Sequence, residues 1–418
     1  MRRSPCLVAC ATALWLIVPA TQAQQPAADY SAVVDANSRF ALKIARMRAP
    51  RLVSNEIISP LALSSGFALL RNGANPQCAD DIAGTFEFGQ IPEDNTNRAY
   101  AALLSGLLSR PAEQRSAPGT SHKNVTSPPN GLFLANAFWN LSPANFSNGF
   151  RDVNELFYHA EVVNLRRGQG AVSAINGWAK DKSFGRMSQV VTSVGKDDFL
   201  FTSLLYFRAY WRDPFLTSAT HQADFSLLSG AKKPVQMMKK SGHYLYDRTP
   251  EFEAIVLPYS DGRTLHIFLP DKTSSLREFE ATLSDENWNK WTEAMTKREG
   301  TIELPRFRIS AQVDVQTLLT ELGAGCAFAS TTAFTKAVPT AGAKLTHAEQ
   351  SLSLAADELG SEAVVFTGVG GVVGGIPAGI PGYQPPPPFH MIVDRPFLAA
   401  IVDGRTRAMV LISSIVGP

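Results

Sequence analysis

An α+β fold built around large antiparallel sheets is what this 418-residue sequence predicts, on three observations. Helical periodicity is concentrated before residue 108. Apolar and aromatic runs of strand length dominate after residue 131. Ser260-Asp261-Gly262 reads as a hairpin turn between two β-rich runs. Taken in order, Ala32 to Arg48 and Leu61 to Leu70 carry apolar residues at three- and four-residue spacing, and Asp80 to Phe86 opens another short helix. Gly131 to Trp139 is apolar and aromatic, and Asp198 to Phe207 is a nearly continuous apolar run. Glu253 to Pro258 and Leu265 to Pro270 flank the turn, and Thr301 to Ile309 and Arg395 to Val416 add further strands.

Composition is that of an ordinary globular protein, with 45% hydrophobic and 18% charged residues. A net charge of +2 gives no bulk electrostatic reason for a nucleic-acid or membrane partner. At the N-terminus, Arg2 and Arg3 precede a short apolar core, Leu14 to Ala20, and small residues end at Ala23. This pattern predicts a signal peptide over residues 1–23 and an exported chain, extracellular or periplasmic. The apolar run is shorter than the ~20 residues that span a bilayer. Leu7-Val8-Ala9-Cys10 offers lipidation as the alternative, with almost no apolar segment before the cysteine.

Catalytic chemistry finds no candidate constellation. The seven histidines include no i, i+4 pair, and neither CxxC, G-x-S-x-G nor a P-loop occurs. Gly368 to Gly375 departs from G-x-G-x-x-G at Val373 and leads into proline rather than a helix. No enzyme activity, cofactor or metal is therefore expected.

Nine segments, spread from residue 55 to the C-terminal region, carry a family resemblance. They are Asn55 to Leu61 followed by Arg71 to Asn75; Ile175 to Trp178 with Lys182 and Gly185; Tyr206 to Phe215; Val235 to Met238; Leu257-Pro258-Tyr259; Leu304 to Phe307; Leu318 to Gly323 with Ala327-Phe328; Asp357 to Ala363; and Asp394 to Phe397. In this order they resemble the serpins. The resemblance implies the serpin fold, with large antiparallel or mixed sheets surrounded by helices and an exposed reactive-centre loop. It implies a single domain over 24–418, in which the Pro/Ser-rich stretch 109–130 is a loop insertion and 360–390 the reactive loop. The activity the resemblance implies is a suicide trap: the target protease cleaves the loop, is held as a covalent acyl complex, and is carried along as the loop enters the main sheet. The alternative is a non-inhibitory serpin-fold carrier or binding protein, or a secreted protein docking a partner through Pro385 to Pro388. A monomer is expected.

The resemblance puts the hinge at Glu358, Gly360, Ser361, Glu362 and Ala363, with Gly360 supplying freedom. Period two then sets Ser361, Ala363, Val365 and Thr367 on the face turned to the core. No proline occurs from Gly360 through Ile376, as a central strand requires. Beneath the loop the resemblance implies a shutter at Ser59, Ser203 and Gln350, the last two standing where family members carry asparagine and histidine. Gln350 and Ser203 keep hydrogen-bonding capacity. Two further departures are Val364-Val365-Phe366 in place of small residues and a loop of 396 − 360 = 36 positions.

Between Ala363 and Pro388 there is no charged residue, which excludes a trypsin-like target on charge grounds. Counting forward from the hinge puts the scissile bond near Gly374; counting back from Pro396-Phe397 puts it near Gln384. Val373 and Ala378 suit elastase- or subtilisin-like proteases and Tyr383 a chymotrypsin-like one. After export only Cys78 and Cys326 remain, expected to be bonded to each other or both buried. Asn124, Asn140 and Asn145 stand in N-x-Ser/Thr sequons.

Overall fold

The computed structural model describes residues 29–418 apart from 90, 109–129, 166–168, 186, 196–198, 340–342 and 363–386. The expected signal segment, nearly all of the 109–130 insertion, Asn124 and most of the expected reactive loop lie outside the described residues.

The helices are α1 Ser31–Arg48, α2 Pro60–Arg71, α3 Pro76–Thr85, α4 Glu93–Leu107, α5 Asn148–Tyr158, α6 Gln169–Lys182, α7 Leu276–Ala281, α8 Asp285–Ala294, α9 Val315–Leu322 and α10 Cys326–Ala329. The strands are β1 Glu56–Ile58, β2 Gly131–Asn140, β3 Glu161–Asn164, β4 Phe199–Tyr210, β5 His221–Ser226, β6 Lys232–Arg248, β7 Phe252–Pro258, β8 Arg263–Pro270, β9 Thr296–Pro305, β10 Phe307–Asp314, β11 Leu345–His347, β12 Glu349–Ala356, β13 Gly360–Glu362, β14 Phe389–Ile392, β15 Phe397–Asp403 and β16 Met409–Ile415. One sheet runs β1-β16-β15-β8-β7-β6-β9-β14, with β5 added to β6. The other runs β10-β12-β13-β4-β2-β3, with β11 added to β4. Most ladders are antiparallel, but β2–β3, β4–β11 and β9–β14 are parallel, so both sheets are mixed.

Three boundaries differ from the sequence reading. The stretch Thr301 to Ile309 is two strands: the β9 ladder with β6 runs on to Arg306, whose N–H donates to Gln236 O in the same register, and from Phe307 the chain pairs with β12 of the other sheet. Arg395 to Val416 is likewise two strands, folded back through a turn in which Asp403 accepts from the N–H groups of Arg405 and Thr406. The helix read from Asp80 begins at Pro76, because Asn75 caps it by accepting from Cys78 N–H and proline suits the first turn.

The apolar run in β4 is explained by burial on both faces. Phe199, Phe201, Phe207 and Ala209 belong to the main core, whereas Leu200, Leu204 and Tyr206 face α6 with Trp139 and Trp178. Helix α2 is buried along its whole length. It fits between the sheets because Gly66 has no side chain: a Cβ there would lie 2.2 Å from the Phe201 ring. Phe67 continues the contact, stacked on Phe86 and edge-on to Phe201.

A Cys78–Cys326 disulfide, Cα–Cα 5.6 Å, ties α3 to α10 across 248 residues of chain. Loop-closure entropy over such a span stabilises by roughly 2–5 kcal/mol. Replacing both cysteines by serine is expected to lower unfolding free energy by about that amount in urea titrations, with a larger m-value as the unfolded chain expands.

Glu280 of α7 is also buried, accepting from Ser414 Oγ at 2.5 Å, and burial pushes its carboxyl up to about 8. The folded state thus holds this proton more tightly than the unfolded chain, so stability falls as pH rises from ~4 toward 8. Glu280→Gln is expected to raise Tm at pH 8 and leave it nearly unchanged at pH 5.

Candidate functional site: the hinge and the strand slot

The chain leaves β12 at Ala356, turns through Asp357–Leu359 and returns as β13. Asp357 builds the turn: its Oδ1 accepts from the N–H groups of Leu359 and Gly360, and its own N–H donates to Gly360 O. The three turn carbonyls all point at the segment following β4. Trp211 Nε1 donates to Asp357 O, Trp211 N–H to Leu359 O and Phe215 N–H to Glu358 O, each at 2.8 Å.

Glu358 is buried and accepts from Arg306 Nη2 at 2.5 Å and Thr220 Oγ1 at 2.7 Å. Burial raises its carboxyl pKa, but those two hydrogen bonds outweigh burial and hold it below the usual carboxylate range. The pair therefore stabilises the hinge above pH ~4 and ceases to do so as pH falls below that.

Strand β13 has three residues, antiparallel to both neighbours. Gly360, Ser361 and Glu362 face Tyr210, Ala209 and Arg208 on β4, while Ser361 and Glu362 face Ala356 and Ala355 on β12. The expected loop 360–390 is thus bounded by strands at both ends, β13 and β14, and its first residues are not exposed. Ser361 is buried, and its Oγ accepts from Tyr259 OH at 2.7 Å. Tyr259 stacks on Trp211, centroids 4.6 Å apart and nearly parallel, so one aromatic pair braces both turn and strand. Gly360 is explained by close approach rather than by freedom: a Cβ would lie 2.2 Å from Ala209 O and 2.7 Å from Tyr210 Cα.

Below Glu362 the two neighbouring strands separate. A cavity of about 290 Å³ opens there, lined by Leu204 to Phe207 of β4, Leu352 to Leu354 of β12 and side chains of β10 and α6's trailing loop. Among the described residues no strand pairs with the β12-facing edge of β4 from Phe201 to Phe207. Among the described residues the slot is one strand wide and filled only at its mouth.

At the far end of the slot the shutter residues separate into two groups. Gln350 is buried and grips Ser59 through both of its amide atoms: Oε1 accepts from Ser59 N–H at 3.0 Å, and Nε2 donates to Ser59 O at 3.3 Å. Ser59 Oγ donates to Val410 O and caps α2 by accepting from Ala62 N–H. Ser203 does not join them. It sits opposite Asn136 on β2, and Ser203 Oγ and Asn136 Oδ1 are buried without a hydrogen-bond partner. Ser203 stands on β4 and Gln350 on β12, on opposite edges of the slot, and Gln350 bonds to Ser59 instead.

Ala363 and the scissile-bond candidates Val373, Gly374, Ala378 and Tyr383 lie outside the described residues. Past them, β14 is held by Phe389, stacked on Tyr246 at 3.9 Å, and by His390 Nε2, 2.9 Å from Glu303. Of the two described sequons, Asn145 is exposed, whereas Asn140 is buried and bonded to Asn164 and Ala144. Sequence reasoning gave no role to Arg306, Trp211 or Tyr259, although each lies in a quoted segment. Phe215 also lies in a quoted segment, but it holds Glu358 through its backbone N–H, which side-chain identity does not reveal, and Thr220 had no signal at all.

A family model described as serpin (serine protease inhibitor) matches residues 35–418. Human serpin A12 is 24% identical over 372 residues, covering 87% of this chain and 82% of its own length. Two solved structures share the fold. The thermophilic serpin tengpin in its native state has TM-score 0.74 and 21% identity, over 92% of this chain and 94% of its own. Human thyroxine-binding globulin has TM-score 0.77 and 21% identity, over 93% of this chain and 99% of its own. Since the family match runs unbroken through slot, hinge and shutter to the last residue, the chain belongs to the serpin family.

Proposed function

We propose that this chain is an exported suicide inhibitor of a serine or cysteine protease that is elastase-, subtilisin- or chymotrypsin-like. The observation that carries this reading is a slot that no described residue fills, directly below β13 seated in its mouth. The β13 register, extended downward, pairs residue 363 with Phe207 and Leu354, and residues 364 and 365 with the next residues lining the cavity. The same extension brings Thr367 between Ser203 and Gln350, where the Ser203 hydroxyl lacks a partner. Each inserted residue would satisfy its own N–H and C=O against both edges, at about 0.5–1.5 kcal/mol net per hydrogen bond. Insertion after cleavage is thus favourable at every step.

The uncharged stretch from Ala363 to Pro388 supports the target class, because an acidic specificity pocket finds no basic side chain there. The N-terminal signal pattern supports export, and the Cys78–Cys326 disulfide suits an oxidising compartment.

Incubation with pancreatic elastase is expected to give an SDS-resistant covalent complex, and trypsin none. Cleaved protein is expected to melt well above the intact form, as the completed sheet requires. Cleavage without a complex, at unchanged melting temperature, would transfer the protein to the carrier class.

Ser361→Arg tests the hinge. A guanidinium cannot replace the buried hydroxyl beside Tyr259, so β13 should leave its slot and the loop should be cut as a substrate. A complex formed at the wild-type ratio would show the hinge to be elsewhere.

A further inference from the structure

Asn-Gly pairs occur in the sequence at Asn72, Asn130, Asn148 and Asn176. A following glycine puts no side chain between its own nitrogen and the asparagine carboxamide, so each pair is chemically able to lose that amide. Local structure restrains three of them. Asn72 ends α2 with both amide atoms engaged: Nδ2 donates to Asn97 and Asn154, and Oδ1 accepts from Asn97. The Gly73 N–H is itself committed to Leu70 O at 2.9 Å. Asn176 is also held at both atoms, with Oδ1 accepting from the Val190 and Val191 N–H groups and Nδ2 donating to Val191 O. Asn148 is exposed but opens α5, where helical ψ holds the Gly149 nitrogen away from the carboxamide carbon.

At Asn130 the side chain is unrestrained. It is exposed, lies just outside β2, and among the described residues no hydrogen bond holds it. Gly131 is the last rung of the β2–β4 ladder, where opening is least costly, and its φ of 136° belongs to a region that side chains rarely enter. That rung also reaches the hinge: Gly131 faces Arg208 on β4, and Arg208 faces Glu362 on β13.

We propose that Asn130 is a spontaneous modification site, converted by water to aspartate and isoaspartate, and that isoaspartate frays the rung Gly131 shares with Arg208 and Glu362. The Gly131 nitrogen attacks Asn130 Cγ. A C–N bond forms, the Cγ–Nδ2 bond breaks, and ammonia leaves with the proton that the Gly131 nitrogen gives up. Water then opens the cyclic imide at either carbonyl, leaving one new carboxylate with no change of oxidation state. Opening at the main-chain carbonyl gives isoaspartate, which adds a carbon to the backbone directly before Gly131. The strand entering the rung is then out of step with β4. The inference rests on this geometry and not on the protease reading.

Intact protein aged in neutral buffer at body temperature, then digested and mapped by mass, is expected to show the amide-to-acid mass gain at Asn130 about tenfold or more faster than at Asn72, Asn148 or Asn176. A rate at Asn130 no greater than at any of the three overturns the site. Isoaspartyl methyltransferase is expected to label aged wild type but not aged Asn130→Gln, whose longer side chain closes the ring poorly. Equal labelling of the two also overturns the site. Hydrogen exchange of the Gly131–Phe133 amides is then compared in unmodified protein, the isoaspartate-rich fraction and Asn130→Asp. Exchange about tenfold faster in the isoaspartate fraction than in the other two is expected. Equal exchange in all three overturns the effect on the rung, and exchange as fast in Asn130→Asp overturns the backbone argument in favour of charge. No readout requires a protease, so failure here is distinct from failure of the inhibitor reading.

Discussion

The constraint on which the rest depends is the separation of β4 from β12 by the width of one strand. Both are antiparallel to β13, so they run parallel to each other with a slot between them. Backbone groups along such edges are costly to leave without partners, and water in a 290 Å³ cavity is a poorer partner than a strand. The fold therefore holds a sheet that would be more stable with one more strand. The contacts around the slot hold its two ends in place.

At the mouth, the hinge is fastened by several weak devices rather than one strong one. Three carbonyls accept from Trp211 and Phe215, Glu358 is clamped by Arg306 and Thr220, and Ser361 is bonded to Tyr259. Glu358–Arg306 is charge-assisted, yet Arg306 is half exposed, so its net contribution is of the modest kind expected of partly solvated pairs. The aromatic stack of Trp211 on Tyr259 unites these contacts, because displacing either ring disturbs turn and strand together. At the opposite end, Gln350 on Ser59 joins β12 to the start of α2 and, through Val410, to the second sheet. Widening the slot must therefore strain both ends.

Much of this was legible in the sequence, and the exceptions share a cause. The elements with a strong period or an apolar run, such as α1, β2 and β4, were readable because burial on one or two faces imprints the sequence directly. The hinge was locatable from Asp357 to Ala363, but the reason for Gly360 was not: glycine permits both freedom and close approach, and only the position of Ala209 O distinguishes them. The break at Arg306 was invisible because the residues on either side both favour strands, and what divides them is a change of partner, from β6 in one sheet to β12 in the other. Ser203 was read as a shutter partner by its place in the chain, whereas its environment is set by Asn136 across β2.

Gln350 is the departure with the clearest physical consequence. A histidine at this position would gain a proton between pH 5 and 8, and its grip on a backbone carbonyl and N–H would change with charge. An amide does not titrate, yet it supplies the donor and acceptor that Ser59 O and N–H require. The closure of the slot at this end is therefore the same across the physiological range. Acid sensitivity is left to the other end, where Glu358 must remain ionised to hold Arg306, and is confined to pH below ~4 by the lowered carboxyl. A protein built this way keeps the Gln350–Ser59 contact unchanged in mildly acidic surroundings and loses the Glu358–Arg306 pair only at lower pH.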